Sequence, residues 1–194
     1  MMQIEEGNKV TAWRENPEDA EARVAATRQL ADNAQQSANN AQTGVNNLRN
    51  FTDTVFRNGV IDRAERAAIE GYLNQLAETK LSVDADYIQI RQNPYLAGTA
   101  LTNLTNAKAA LDTAYNNLVN GINTAIANGV VTPAERNEVN RLFGLYNTAL
   151  VTYQTRLGEA NRAILNRIDE IARQRSDAAQ RLSSATPQNR TSNL

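Results

Sequence analysis

The chain has 194 residues, of which 41% are hydrophobic but only 5% aromatic, and a formal net charge of −1. That suits one domain with slender helical packing, and it supplies no global field to draw the chain to nucleic acid or anionic lipid. With neither cysteine nor histidine, the chain has no disulfides or thiolate metal sites, no histidine general base and no histidine zinc ligand.

No run of about 18 apolar residues exists, so no membrane span is expected. The opening Met1-Met2-Gln3-Ile4-Glu5-Glu6-Gly7 lacks the basic and apolar regions of a signal peptide. Residues 1–16 read as an irregular segment, with the apolar run Lys9-Val10-Thr11-Ala12-Trp13. Asn16-Pro17-Glu18-Asp19 then opens a helix, with Asn16 as N-cap, Pro17 at the first helical position and acids in the first turn.

Helix one is expected over about 17–57. Val24, Thr27, Ala31, Ala34, Ala38, Ala41, Val45, Leu48, Thr52 and Val55 recur at alternating steps of three and four, a heptad seam. Its central alanines require a partner helix that comes close or brings large side chains. The opposite face is rich in Asn and Gln and reads as solvated.

The helix ends at a nine-residue stretch that recurs later. Asn58-Gly59-Val60-Ile61-Asp62-Arg63-Ala64-Glu65-Arg66 is echoed by Asn128-Gly129-Val130-Val131-Thr132-Pro133-Ala134-Glu135-Arg136. Each copy reads as a helix end, a tight corner and a helix start. Gly59 and Gly129 are placed where the chain turns left-handed, with Val60 expected back against Val55 in a Schellman ending, and Val130 facing Ala125. Asp62 with Glu65, and Thr132 with Glu135, have capping-box spacing, and Pro133 suits a first helical position. These seven residues are candidate structural corners and caps; no catalytic, cofactor-binding or metal-binding residue is assigned.

Helix two is expected over about 63–92, with the stripe Ile69, Leu73, Leu76, Lys80, Val83, Tyr87, Ile90. Lys80 interrupts the stripe and is expected to snorkel. The loop Asn93-Pro94-Tyr95-Leu96-Ala97-Gly98-Thr99 follows, with Tyr95 and Leu96 expected to plug the bundle end. Helix three, about 102–128, carries Leu104, Ala107, Leu111, Ala114, Leu118, Ile122 and Ala125. Helix four, about 133–184, carries Val139, Leu142, Tyr146, Ala149, Tyr153, Leu157, Ala160, Ile164, Ile168 and Ile171, and more faintly Ala178 and Leu182. Residues 185–194 read as a frayed tail.

The pattern predicts an all-α chain: an antiparallel up-down four-helix bundle with a two-helix coiled-coil stalk. Both corners fall at one end, and the surplus lengths of helices one and four project from the other. Antiparallel register places Ala41 near Ala149, Ala34 near Leu157, and Val24 near Leu165 or Ile168. Candidate chemistry is sparse. Asp84 and Asp86 offer only a non-specific carboxylate site, and the arginines from Arg162 to Arg181 are interspersed with acids, as on a solvated face.

Residues Phe56 to about Ile168 resemble a helical module of bacteriophage and prophage tail proteins, of the minor structural or tail-fibre type. The features that carry the likeness are Phe56-Arg57-Asn58-Gly59-Val60-Ile61 with Ala64-Glu65, then Asn93, Tyr95-Leu96 and Gly98-Thr99. Leu104, Ala107-Lys108, Tyr115, Leu118, Ile122, Ala125-Ile126 and Asn128-Gly129-Val130-Val131-Thr132 with Ala134-Glu135 complete the pattern. Upstream, Asn8 to Trp13 with Asn16-Pro17 and Asp19 resembles a short segment repeated in such proteins. The family usually carries Asp before the corner glycine, where this chain has Asn58 and Asn128.

The resemblance implies a non-enzymatic virion component without cofactors, a spacer or attachment module. It implies other phage tail proteins as partners, a homo-oligomer with a trimer favoured, and a place in the virion tail after assembly in the host cytoplasm. The alternative is a bacterial helical adaptor or surface protein-interaction module.

Overall fold

The computed structural model describes residues 17–185. The readings made on residues 1–16 and 186–194 lie outside that range. Four helices follow one another: α1 (Pro17–Val55), α2 (Arg63–Arg91), α3 (Gly98–Ile126) and α4 (Pro133–Ala185). The chain is an all-α antiparallel bundle.

The helix ends differ slightly from the sequence expectation. α1 and α3 stop two residues early, because the last turn tightens ahead of each left-handed glycine: Arg57 N–H donates to Thr54 O and Ala127 N–H to Thr124 O. α3 begins at Gly98 rather than Thr102; Gly98 has φ +61° and turns the chain there, and the Thr102 hydroxyl already donates to Gly98 O at 3.2 Å.

The seams are buried as their spacing requires. On α1, Ala34, Ala38, Ala41, Val45, Leu48 and Val55 are in the core; on α4, Tyr146, Leu150, Tyr153, Leu157, Ala160, Ile164 and Ile168 are. α1 packs along α2, α3 along α4, and α1 along α4, whereas the α2 and α3 backbones scarcely approach one another. Small side chains explain the close α1 contacts, since an alanine holds the backbones nearer than a leucine would.

Register on the α1–α4 side is fixed by amides. Gln42 donates to Asn147 at 3.0 Å, and Gln154 donates to Asn39 at 3.3 Å. These contacts agree with the pairing of Ala34 with Leu157. Along α1 itself, Gln29, Gln35 and Gln42 each donate to the Asn four residues on, at 2.9–3.1 Å. The Asn- and Gln-rich face is thus an ordered ladder as well as a solvated one.

At the far end, Leu96 is buried and Tyr95 half-buried, and Arg23 donates to the Tyr95 hydroxyl at 3.1 Å. The last large buried side chain of α4 is Ile168, and residues 172–184 are exposed on every side. The two-helix stretch is therefore short, ending near Val24 of α1 and Ile171 of α4, and α4 continues without α1. At 1.5 Å per residue, the 53 residues of α4 run about 80 Å.

Candidate functional site

The two corners meet. Ile61 N–H donates to Gly129 O at 2.8 Å and Val131 N–H donates to Gly59 O at 2.9 Å, forming an antiparallel bridge between Val60 and Val130. The repeated sequence therefore produces two loops that satisfy one another's backbone groups. Gly59 and Gly129 have φ +74° and +78°, the left-handed region that a Cβ disfavours.

The Val60 and Val130 amides do not make the hydrogen bond of a Schellman ending. Instead, Val60 N–H donates to Asn58 Oδ1 at 3.0 Å and Val130 N–H to Asn128 Oδ1 at 2.9 Å. This is an Asx turn in each corner. With the amides held this way, Val60 and Val130 point outward and are 57% and 50% exposed, while Phe56, Ile61 and Val131 close the bundle end beneath them. An acceptor is all that the turn asks of residues 58 and 128, and the Asn side-chain oxygen supplies it.

The caps follow. Asp62 Oδ1 accepts from Glu65 N–H at 2.7 Å, and Glu65 returns by accepting from Asp62 N–H at 3.0 Å. Thr132 and Glu135 repeat this at 3.2 and 2.8 Å, and the Thr132 hydroxyl also donates to Glu135. The Thr132 backbone N–H and hydroxyl hold the Glu135 carboxyl below its ordinary range. Pro133 is the first residue of α4. One further contact was not read from sequence: Arg66, in the first turn of α2, donates to Ile126 O and, at 3.3 Å, to Ala127 O. It caps the C-terminus of α3 from the neighbouring hairpin.

Two of these contacts yield checkable outcomes. Gly59→Val should cost about 1–2 kcal/mol through left-handed strain; its Cβ would also sit 3.3 Å from Val131 O, so the partner corner shares the damage. Thr132→Ala should cost about 1 kcal/mol through the lost cap. Thermal melts read both, and unchanged midpoints would contradict the structural role.

The second constellation lies between α2 and α3. Lys80, Asp84 and Tyr87 on α2 repeat the spacing of Lys108, Asp112 and Tyr115 on α3. Lys80 Nζ lies 2.6 Å from Asp84 and 3.1 Å from Asp112; Lys108 Nζ lies 2.7 Å from Asp84 and 2.6 Å from Asp112. Each ammonium also stands 5.5 Å from the ring centre of the opposite tyrosine, Lys80 over Tyr115 and Lys108 over Tyr87. Lys108 is buried at 5% exposure, and the others are half-buried or nearly so. The Asp84 Oδ1 contact with Lys108 is an ion pair without hydrogen-bond alignment.

Burial alone would raise the Asp84 carboxyl, but Lys108 and Lys80 more than offset it and hold it below the usual range. Burial alone would lower Lys80, but Asp84 and Asp112 outweigh it and hold the ammonium above its usual range. Lys80 does not snorkel to open water; it joins this quartet. Asp84 and Asp86 do not form a joint carboxylate site either. Asp84 belongs to the lysines, while Asp86 lines a shallow polar groove between α1 and α2 with Asn33, Gln36 and Asn40. Among the described residues, no group of three His, Cys, Asp or Glu is arranged to hold a metal ion.

On α4, the Tyr153 hydroxyl is buried and has no hydrogen-bond partner among the described residues. Tyr153→Phe removes an unsatisfied polar atom at constant shape. It should leave stability unchanged or raise it by up to about 1 kcal/mol, and a clear loss in a urea titration would reveal a hydrogen bond made by that hydroxyl.

No protein-family profile, curated protein or solved structure matches the chain. Among the described residues no helix is long and apolar enough to cross a membrane.

Proposed function

We propose that the chain is a non-enzymatic structural component of a phage tail, at the tip, baseplate or fibre, acting as a spacer or attachment module. The observation that supports this best is the pair of docked corners. Among the features that carry the resemblance to tail proteins, the Gly-Val corners at residues 59–60 and 129–130 form the link between the two helical hairpins. A module built for transmitting position rather than chemistry needs such a link: the tip is tied across both hairpins, and α4 carries the chain onward for about 80 Å.

Its partners are other tail proteins and further copies of itself, with a trimer favoured. The heptad spacing continues past Ile168, the last buried side chain of α4, through half-buried Ile171 to exposed Ala178, where α4 has left α1 behind. Association along that helix would bury surface that the described part of a single chain leaves open.

Peptide mass spectrometry of purified particles from the host that encodes the chain tests the first point. The chain should co-purify with tail-tube proteins at a fixed ratio, and its absence from intact particles would favour the bacterial adaptor reading. Sedimentation at micromolar concentration tests the second. A trimer is expected, and a monomer with a fully helical α4 would remove the assembly argument.

A further inference from the structure

The two side walls of the bundle are built from opposite chemistry. Along α1–α4 the contact is close and neutral: Ala34, Ala38 and Ala41 in the core, with Gln42 on Asn147 and Gln154 on Asn39 at the rim. Along α2–α3 the backbones scarcely approach one another. There the wall is bridged by Lys80, Asp84, Lys108 and Asp112, with Tyr87 and Tyr115 beneath the ammonium groups.

The quartet is closed. Each lysine meets both carboxylates, each carboxylate meets both lysines, and the charges cancel. Such a set is satisfied in one relative position of the two helices; sliding by a turn strands a charge, and stranding a buried charge is costly. The two backbones stand apart, so side chains alone span this wall, and parting it breaks fewer close backbone contacts than parting α1 from α4. Those two properties together describe a catch.

We infer that the α2–α3 wall is an ionic latch, and that the bundle opens sideways along it as one cooperative step while α1 and α4 stay packed as the spine. The docked corners form the hinge at one end, since Ile61 to Gly129 and Val131 to Gly59 join the hairpins independently of the quartet. At the other end, the short connection through Pro94 and Leu96 limits how far the wall parts. This inference goes beyond the proposed role in a tail and stands or falls separately from it.

Native-state hydrogen exchange on the full chain tests the latch. Amides near 80–87 and 108–115 should exchange together, through one common opening, faster than amides near 38–48 of α1 and 143–157 of α4. Asp84→Asn combined with Asp112→Asn leaves both lysines without a counter-charge. It should speed exchange in the two latch segments by roughly tenfold or more while leaving the spine at its original rate. Asp112→Asn alone, at the more exposed carboxylate, gives the same pattern in milder form if the double variant does not fold. Replacing the quartet by Lys80→Met, Asp84→Leu, Lys108→Met and Asp112→Leu should slow the latch segments to the rate of the spine. Equal exchange of all four helices in the native chain would overturn the inference. So would acceleration of the spine equal to that of the latch segments in the Asn variants, since the quartet would then only add to global stability.

Discussion

Leu157→Ala is expected to destabilise the chain by about 2–5 kcal/mol, Ala34→Leu by about 1–3 kcal/mol, and the double variant by less than the sum of the two. Both positions are fully buried. The amide contacts Gln42 to Asn147 and Gln154 to Asn39 place them at the same level of α1 and α4. Truncating Leu157 leaves a cavity that a close-packed seam cannot collapse around. Enlarging Ala34 instead forces the two helices apart, because the seam is close at that level. Exchanging the volumes restores the total and returns part of the loss. Urea titration of the four proteins measures the coupling. A strictly additive result would mean that the two side chains do not share space, and would displace the register by at least half a turn.

The second large effect is electrostatic. Asp84→Ala should cost several times the roughly 0–1 kcal/mol of a surface ion pair, because it leaves buried Lys108 with one carboxylate where it had two. The pH dependence has a defined sign. The folded carboxyl of Asp84 lies below its unfolded value of 3.8, so its contribution is present above that value and is lost as pH falls through the lower folded value. The folded ammonium of Lys80 lies above its unfolded value of 10.5, so its contribution is present below that value and is lost as pH rises through the higher folded value.

The groups facing the pair are Lys108, Asp112, Tyr87 and Tyr115 in the wall and Tyr146 and Tyr153 from α4. Burial pushes the hydroxyls of Tyr115, Tyr146 and Tyr153 up, so these three remain neutral across the neutral range. Stability from the quartet should therefore form a plateau between the two unfolded values, falling at both ends. Asp84→Ala should flatten the acid limb in a pH series of thermal melts. An unchanged acid limb would assign it to other carboxylates.

The fold was legible because its signals are local. Alanines and leucines at steps of three and four state which face of each helix is buried, and Asp62-x-x-Glu65 and Thr132-x-x-Glu135 state where two helices begin. Helix ends were legible only to within a few residues, because Arg57 and Ala127 tighten their turns in response to the glycines that follow. The docking of the corners was not legible. A bridge between residues 70 apart in sequence has no local pattern, and Val60 looked like the C″ residue of a Schellman ending until Asn58 claimed its amide. The latch leaves a trace in the sequence. Lys-x-x-x-Asp-x-x-Tyr stands once on α2 and once on α3, but hydrophobic periodicity treats Lys80 as an interruption and Lys108 as a surface residue. Only the antiparallel pairing of the two helices turns the repeat into mutual neutralisation.

The bridge between the corners has a mechanical consequence. Pro17 of α1 and Ala185 of α4 lie at the end of the bundle opposite the corners. Traction on those two ends peels α1 from α4 one contact at a time and never loads the tip. Traction between the tip and the opposite end acts along the helix axes and loads α1 and α4 side by side, in parallel. The two backbone bonds at the corners divide such a pull between both hairpins. The bundle is therefore strong as a strut gripped at its two ends and weak as a tether gripped by its own two strands.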